Sequence, residues 1–206
     1  MIRLNDEFIP PSGPNGAATE IPALVALLNN GDPAERRGAL NKLVEARAET
    51  ELTDCLQSND RVAVQLATAG LWECWLNEKG VAARQMMDEG IELMHAGHLA
   101  AAAEIFLSLM KQYPDWAEAI NKQATTLYLS GKPAESIALC VKVVALKPNH
   151  FGAWNGMALC AVQLQDWQTA LFAAKKARRL QPSAEANLDI IKQARAKLGE
   201  DPNAAV

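Results

Sequence analysis

Nowhere in the 206 residues do apolar side chains run uninterrupted for the ~18 positions that a membrane span requires. The opening MIRLNDEFIPPSGPNGAATE has no apolar stretch flanked by basic residues, so it does not read as a secretory signal, and a soluble cytoplasmic protein is expected. Positive charge is not in excess either: 20 Lys and Arg stand against 24 Asp and Glu, a formal net charge of -4. Such a chain has no global basic field to draw it onto nucleic acid or anionic lipid. The expected partner is another protein, with neither nucleic-acid binding nor membrane insertion.

Cysteine is scarce and scattered. Cys55, Cys74, Cys140 and Cys160 lie far apart with no CxxC spacing, and each falls within an apolar helical pattern, which reads as reduced core rather than a metal or redox site. A phosphate-cradling glycine loop, a nucleophile elbow and HExxH are all missing. His95 and His98 straddle a turn at Gly97 with no acidic or cysteine ligand at matching spacing, so no metal or other cofactor is expected. The basic run KKARR, Lys175 to Arg179, ends a helix, where cations suit the negative end of the macrodipole. An enzyme is therefore not expected; its only kernel is His150 near Asn121.

What the chain does have is repetition. Pro114, Pro148 and Pro182 recur every 34 residues, each after an apolar helix ending, in KQYPDW, ALKPNH and RLQPSA. That is the period of a two-helix solenoid repeat. Counting back from each proline, Ala102, Ser136 and Ala170 share one position, and Phe106, Cys140 and Ala174 another. Met86, Ile120 and Trp154 fill a large slot, and Gly90, Ala124 and Ala158 a small one. Small residues let paired helices approach, and large ones fill the gap beside them. Asp115 with Glu118 reads as a capping box, Asn149 and Ser183 as caps of two later helices, and Pro133 as a first-turn residue.

This set resembles the tetratricopeptide repeat, with Leu93, Leu127 and Ala161 departing from the tyrosine that the pattern prefers. Three repeats are expected at about 83–116, 117–150 and 151–184. The helix EANLDIIKQARAKL would cap the stack within a unit spanning 81–199, followed by a tail over 200–206. Upstream, LLNNGDPAERRGALNKLVEA and CLQSNDRVAVQLATAGLWEC align with an offset of 28, which sets Leu28, Asp32, Ala39 and Leu43 over Leu56, Asp60, Ala67 and Leu71. This looks like a pair of HEAT-type repeats over 19–80, preceded by an extended Pro- and Gly-rich arm at 1–18. The expected fold is an all-α right-handed helical solenoid of antiparallel helix pairs.

In the tetratricopeptide family the first helices of successive repeats line a concave groove. Carried onto this chain, the resemblance implies a lining of Met87, Ile91 and Met94 from the first repeat and Asn121, Lys122, Thr125 and Tyr128 from the second. The third would add Gly152, Asn155, Gly156, Leu159 and Val162. Asn121 and Asn155 are one period apart, either gripping a peptide backbone with their amides or merely solvated. The clamp with which some family members hold acidic chaperone tails falls on Met87, Ile91, Lys122, Gly152 and Gly156, and so is absent. Small bacterial and plastid tetratricopeptide proteins have a similar middle repeat, which implies a non-catalytic helical scaffold or adaptor. It would hold an amphipathic helix or extended segment of another protein, as an assembly factor. In the rival reading the groove is filled by the chain's own arm, Ile9 to Pro14.

Gly152 and Gly156 lie four apart in HFGAWNGMALC, on one helical face, where each costs ~1 kcal/mol relative to alanine. Two missing side chains on a groove wall read as a recess that a partner's helix or backbone enters.

Overall fold

The computed structural model describes residues 15–204. Every regular element among them is a helix: α1 (Asn15–Asn30), α2 (Pro33–Glu45), α3 (Glu49–Cys55), α4 (Arg61–Leu76), α5 (Val81–His95), α6 (Leu99–Gln112), α7 (Ala117–Leu129), α8 (Pro133–Leu146), α9 (Phe151–Gln163), α10 (Trp167–Leu180) and α11 (Glu185–Leu198). None is long and apolar enough to cross a membrane. The chain is an all-α solenoid in which each helix packs on its successor from α5 to α11, apart from the turns between them.

The boundaries follow local chemistry. Helices α6, α8 and α10 each stop two residues before Pro114, Pro148 or Pro182, because the ring disfavours helical backbone at the residue preceding it. Pro133 opens α8, where its missing N–H costs nothing. Asp32 accepts from the N–H groups of Ala34 and Glu35 at 2.8 and 2.9 Å while Glu35 accepts from the Asp32 N–H, a full capping box. The Asp60 side chain caps α4 without a box, accepting from Val62 and Ala63, and is also gripped by Arg36 at 2.6 Å, which holds its carboxyl well below the usual carboxylate range. The expected box at Asp115 does not form. Trp116 stands at that boundary without a side-chain cap, because Glu118 is turned inward and Asp115 pairs with Lys79. Nor do Asn149 and Ser183 cap: His150 and Ala184 take those positions.

Within α5–α10 the small and large slots compensate one another. Phe106 is fully buried, and a methyl group added at Gly90 would lie 2.6 Å from its ring, so that rung requires glycine. In the next two rungs the second-helix residue shrinks to Cys140 and Ala174, and the first-helix residue grows to Ala124 and Ala158. Ser136 is buried and satisfied, its hydroxyl donating to the Ala124 carbonyl at 2.7 Å.

The N-terminal helices form two stacked pairs, α1 with α2 and α3 with α4, with α2 lying on α4. All six apolar positions matched by the 28-residue offset are buried, and both matched aspartates are helix caps. These pairs do not end the solenoid; they pack along its edge, where α7 and α9 begin and α8 and α10 end. Trp116 Nε1 donates to the Trp75 carbonyl at 2.8 Å, Lys147 binds Glu49 at 2.9 Å, and Gln57 donates to the Arg179 and Leu180 carbonyls near the far end of α10. Phe151 is buried in the N-terminal core and Leu180 packs against it, so two side chains of the repeats complete that core.

Candidate functional site: the inner face and the helix seated on it

The inner face is built from α5, α7 and α9, and α4 covers part of it. Trp72 and Trp75, three apart on α4, project from the same side of that helix and reach the start of α9. Trp75 stacks on the His150 imidazole with centroids 4.2 Å apart and planes 19° from parallel; Trp72 meets His150 and Phe151 edge-on at 5.7 and 5.2 Å. Lys122 Nζ lies 4.9 Å from the centre of the Trp72 ring.

Beneath the tryptophans sits a sealed polar cluster. Glu118 and His150 are both 0% exposed. Glu118 Oε2 is 2.9 Å from His150 Nε2 and 3.3 Å from the Asn121 amide that donates to it, and Oε1 is 2.9 Å from Lys122 Nζ. His150 Nδ1 accepts the Ala153 N–H at 3.1 Å, which caps α9. That bond fixes the tautomer: Nδ1 is the acceptor, so Nε2 carries the hydrogen and donates to Glu118. Burial alone would push the Glu118 carboxyl up, but the His150 bond and the Lys122 charge outweigh it and hold the group below its ordinary value.

Six of the twelve residues expected along the groove are taken up by the fold. Met87 is fully buried against Phe106 and Trp116, and Met94 is 6% exposed in the same core, because α5 turns these positions toward α6 and α7. Ile91 packs, half-buried, on that core as well. Asn121 faces inward to Glu118, and Lys122 is spent on Glu118 and Trp72. The recess at Gly152 is real but filled: a methyl group there would lie 2.6 Å from Trp72 Cη2, so the close neighbour is the chain itself. Gly156 is different, since a methyl group there meets only Cys140 Sγ at an ordinary 3.4 Å. The two glycines therefore do not floor one recess. The arm at Ile9 to Pro14 lies outside the described residues.

The other half of the face is uncovered. Thr125 and Tyr128 on α7, and Asn155, Gly156 and Val162 on α9, are half-buried, and Leu159 is 44% exposed. Asn155 Oδ1 is enclosed yet accepts no hydrogen bond from any described residue. The dividing line follows the helix direction, with the early turns of α7 and α9 under α4 and the later turns free. Glu118, Trp72 and Trp75 have no place in the sequence-based groove, because the 34-residue period describes how repeats stack and not what folds back on them.

The glycine contacts predict opposite outcomes for two similar changes. Gly152→Ala is expected to lower stability by about 1–3 kcal/mol, since Trp72 must give way. Gly156→Ala should raise it by about 0.4–1 kcal/mol through reduced entropy of the unfolded chain. Urea midpoints of the two variants, measured side by side, check the pair; equal shifts would mean that Trp72 does not rest on Gly152.

No family model matches the chain, and no curated protein does. Solved structures do. The first tetratricopeptide domain of Spaghetti (RPAP3), bound to an HSP90 peptide, is 17% identical with a TM-score of 0.55, over 57% of this chain and 94% of that one. The Sgt2 tetratricopeptide domain from Aspergillus fumigatus is 16% identical with a TM-score of 0.54, over 61% and 88% of the two chains. MamA from Desulfovibrio magneticus is 19% identical with a TM-score of 0.53, over 76% and 86%. At these identities the likeness is one of fold. Together with the three prolines, the compensating slots and the paired helices α5–α10, it establishes that this chain has the tetratricopeptide-repeat fold.

Proposed function

We propose that the protein is a non-catalytic scaffold or adaptor. It holds an amphipathic helix or extended segment of another protein against the uncovered half of its inner face, as an assembly factor. The observation that carries this reading is Leu159, an apolar side chain 44% exposed on the uncovered half of the face. An apolar side chain of the segment covers Leu159, with Tyr128 and Val162 beside it. Peptide binding by related folds is in keeping with this: Spaghetti was solved with an HSP90 peptide. The chaperone clamp is absent here, so the segment is apolar and not an acidic tail. Residues 19–80, a HEAT-type pair in this reading, form the wall of the groove and not a second binding unit.

A non-catalytic role is supported by the placement of the reactive groups. The His150–Glu118 pair is closed to any substrate, and the four cysteines are buried, with the Cys140 thiol pushed up to about 12 and that of Cys74 to about 11 by burial.

The test is capture of partners from the native cell by the full chain and by Leu159→Asp. The variant should keep its melting temperature, since Leu159 is exposed, and lose affinity at least tenfold, about 1.4 kcal/mol. Affinity should also fall only modestly between low and moderate salt. Undiminished capture by Leu159→Asp, or a steep salt slope, would overturn the reading.

A further inference from the structure

A second concave surface lies where α10 ends, and Leu159 lines no part of it. It is a cleft of about 640 Å3 bounded by the last turn of α10, one face of α11, the α3–α4 turn and the segment after α11. Its charged lining residues are Arg178, Arg179 and Lys192, all cations, in a protein whose formal net charge is -4. Among the described residues no ion pair reaches any of the three. Glu185 and Asp189 line an adjoining cleft that shares Arg178 and Lys192 and adds Arg61, so over both clefts four cations face two carboxylates that do not pair with them. The acids after α11 are spent elsewhere: Glu200 lies 4.0 Å from Arg195, and Asp201 accepts the Asn203 N–H at 2.9 Å.

Cations at the C-terminus of a helix are ordinarily accounted for by the macrodipole. Here that account is incomplete. At the positions of Arg178 and Arg179, α8 has Val144 and Ala145, with no basic residue in its last turn, and α6 has Met110 and Lys111, so the repeat does not require the pair. The Arg179 and Leu180 carbonyls are already met by Gln57 Nε2 at 3.0 and 3.2 Å, from the α3–α4 turn. Arg178 Nη1 donates to the Pro182 carbonyl at 2.7 Å, beyond the helix, which anchors the guanidinium at the cleft with its remaining N–H donors unspent among the described residues. Lys192 stands in the middle of α11, where the dipole gives no reason for a cation.

We propose that the cleft at the end of α10 binds a phosphate monoester. Three like charges lining one cleft repel one another, and the ligand that relieves them best is compact, carries more than one negative charge and offers several acceptors. A phosphate monoester has a charge of about -1.5 to -2 at neutral pH and three strong acceptor oxygens, one for each cation. The two guanidinium groups suit it further, because their fixed forks match phosphate geometry. A carboxylate, with one charge and two oxygens, leaves a cation unanswered. Pro182 and Leu188 on the same wall give apolar contact to the carbon chain that bears the phosphate. The chemistry is the same for a phosphorylated side chain and for a small free ester, and the experiment separates the two sources. The cleft is separate from the inner face around Leu159, so the two readings fail independently.

The test titrates the isotopically labelled full chain with inorganic phosphate, with a short phosphoserine peptide, and with the same peptide carrying Glu in place of the phosphoserine. Both phosphate probes are expected to shift the Nε–H resonances of Arg178 and Arg179, and the Glu peptide to bind about tenfold more weakly than its phosphoserine counterpart. A phosphoserine peptide that binds more tightly than inorganic phosphate assigns the site to a phosphorylated polypeptide, and one that binds no more tightly assigns it to a small ester. Arg179→Gln combined with Lys192→Gln should weaken the phosphoserine peptide about tenfold with the melting temperature unchanged, since both side chains are exposed. Lys111→Gln combined with Lys142→Gln takes the same charge from α6 and α8 and should change affinity less than about twofold. Leu159→Asp should leave all of this intact. The proposal is overturned by the absence of shifts with both phosphate probes, by equal binding of the Glu peptide, or by equal losses in the two double variants. Tighter binding of an oligothymidylate than of the phosphoserine peptide would assign the cleft to nucleic acid and overturn it as well.

Discussion

Glu118→Ala is expected to destabilise the protein by about 3–5 kcal/mol, the cost of removing one member of a buried ion pair and leaving the others without it. Three groups depend on this carboxylate. His150 Nε2 loses its acceptor, Lys122 loses its counter-charge, and the Asn121 amide loses its bond. Glu118→Gln should cost less, because the amide oxygen still accepts from His150 while only the charge on Lys122 goes unanswered. Combining Glu118→Gln with Lys122→Met isolates the pairwise term, and a double variant whose cost equals the sum of the singles would mean that the pair is not coupled.

Acid adds an independent check. The folded carboxyl is held below its unfolded value, so its contribution is present in full above the range where the unfolded group titrates, near pH 4.3. It is lost as pH falls through the lower folded value. The gap in denaturation midpoint between wild type and Glu118→Gln should therefore narrow on acidification below about pH 4, and a gap that stays constant would contradict the sign of the shift.

Trp75→Ala is the second large effect, again about 3–5 kcal/mol. Trp75 is 1% exposed, stacks on His150, lies against Trp72 and Phe151, and donates to Glu49 at 2.9 Å. Its loss opens a cavity at the junction of the two halves, so hydrogen exchange in α3 and α4 should rise far more than in α8 or α10. Trp75→Phe retains a ring over His150 but not the N–H for Glu49, and should fall between. A uniform rise in exchange along the chain would show that the junction is not where this residue acts.

The stacking of helices was legible because it is local and periodic. Three prolines and the slots at Gly90, Ala124 and Ala158 place the helix pairs. Glu118 misled for a physical reason. Its spacing from Asp115 fits a capping box, but His150, 32 residues away, offers a buried partner that no local pattern encodes. The inner face was legible as a set of positions and illegible as a surface, since Trp72 reaches Gly152 from 80 residues upstream. One sign was available: LWECWL sets two tryptophans three apart in a helical unit of roughly 60 residues, which buries too little of its surface to enclose both alone.

Phe151 carries a consequence for how the molecule is made. A repeat array ordinarily assembles by neighbour contacts, so that each unit closes as soon as the next is added. Here α1–α4, made first among the described helices, wait for a side chain synthesised about 75 residues after α4 ends before their interior is complete. Until then Trp72 and Trp75 are exposed on a nascent segment, which is the condition under which chains attract chaperones or one another. Once α10 is complete, the ring of contacts from Glu49 to Lys147 and from Gln57 to Leu180 closes. The α3–α4 turn and the end of α10, which a plain repeat array would leave apart, are thereby held to one another.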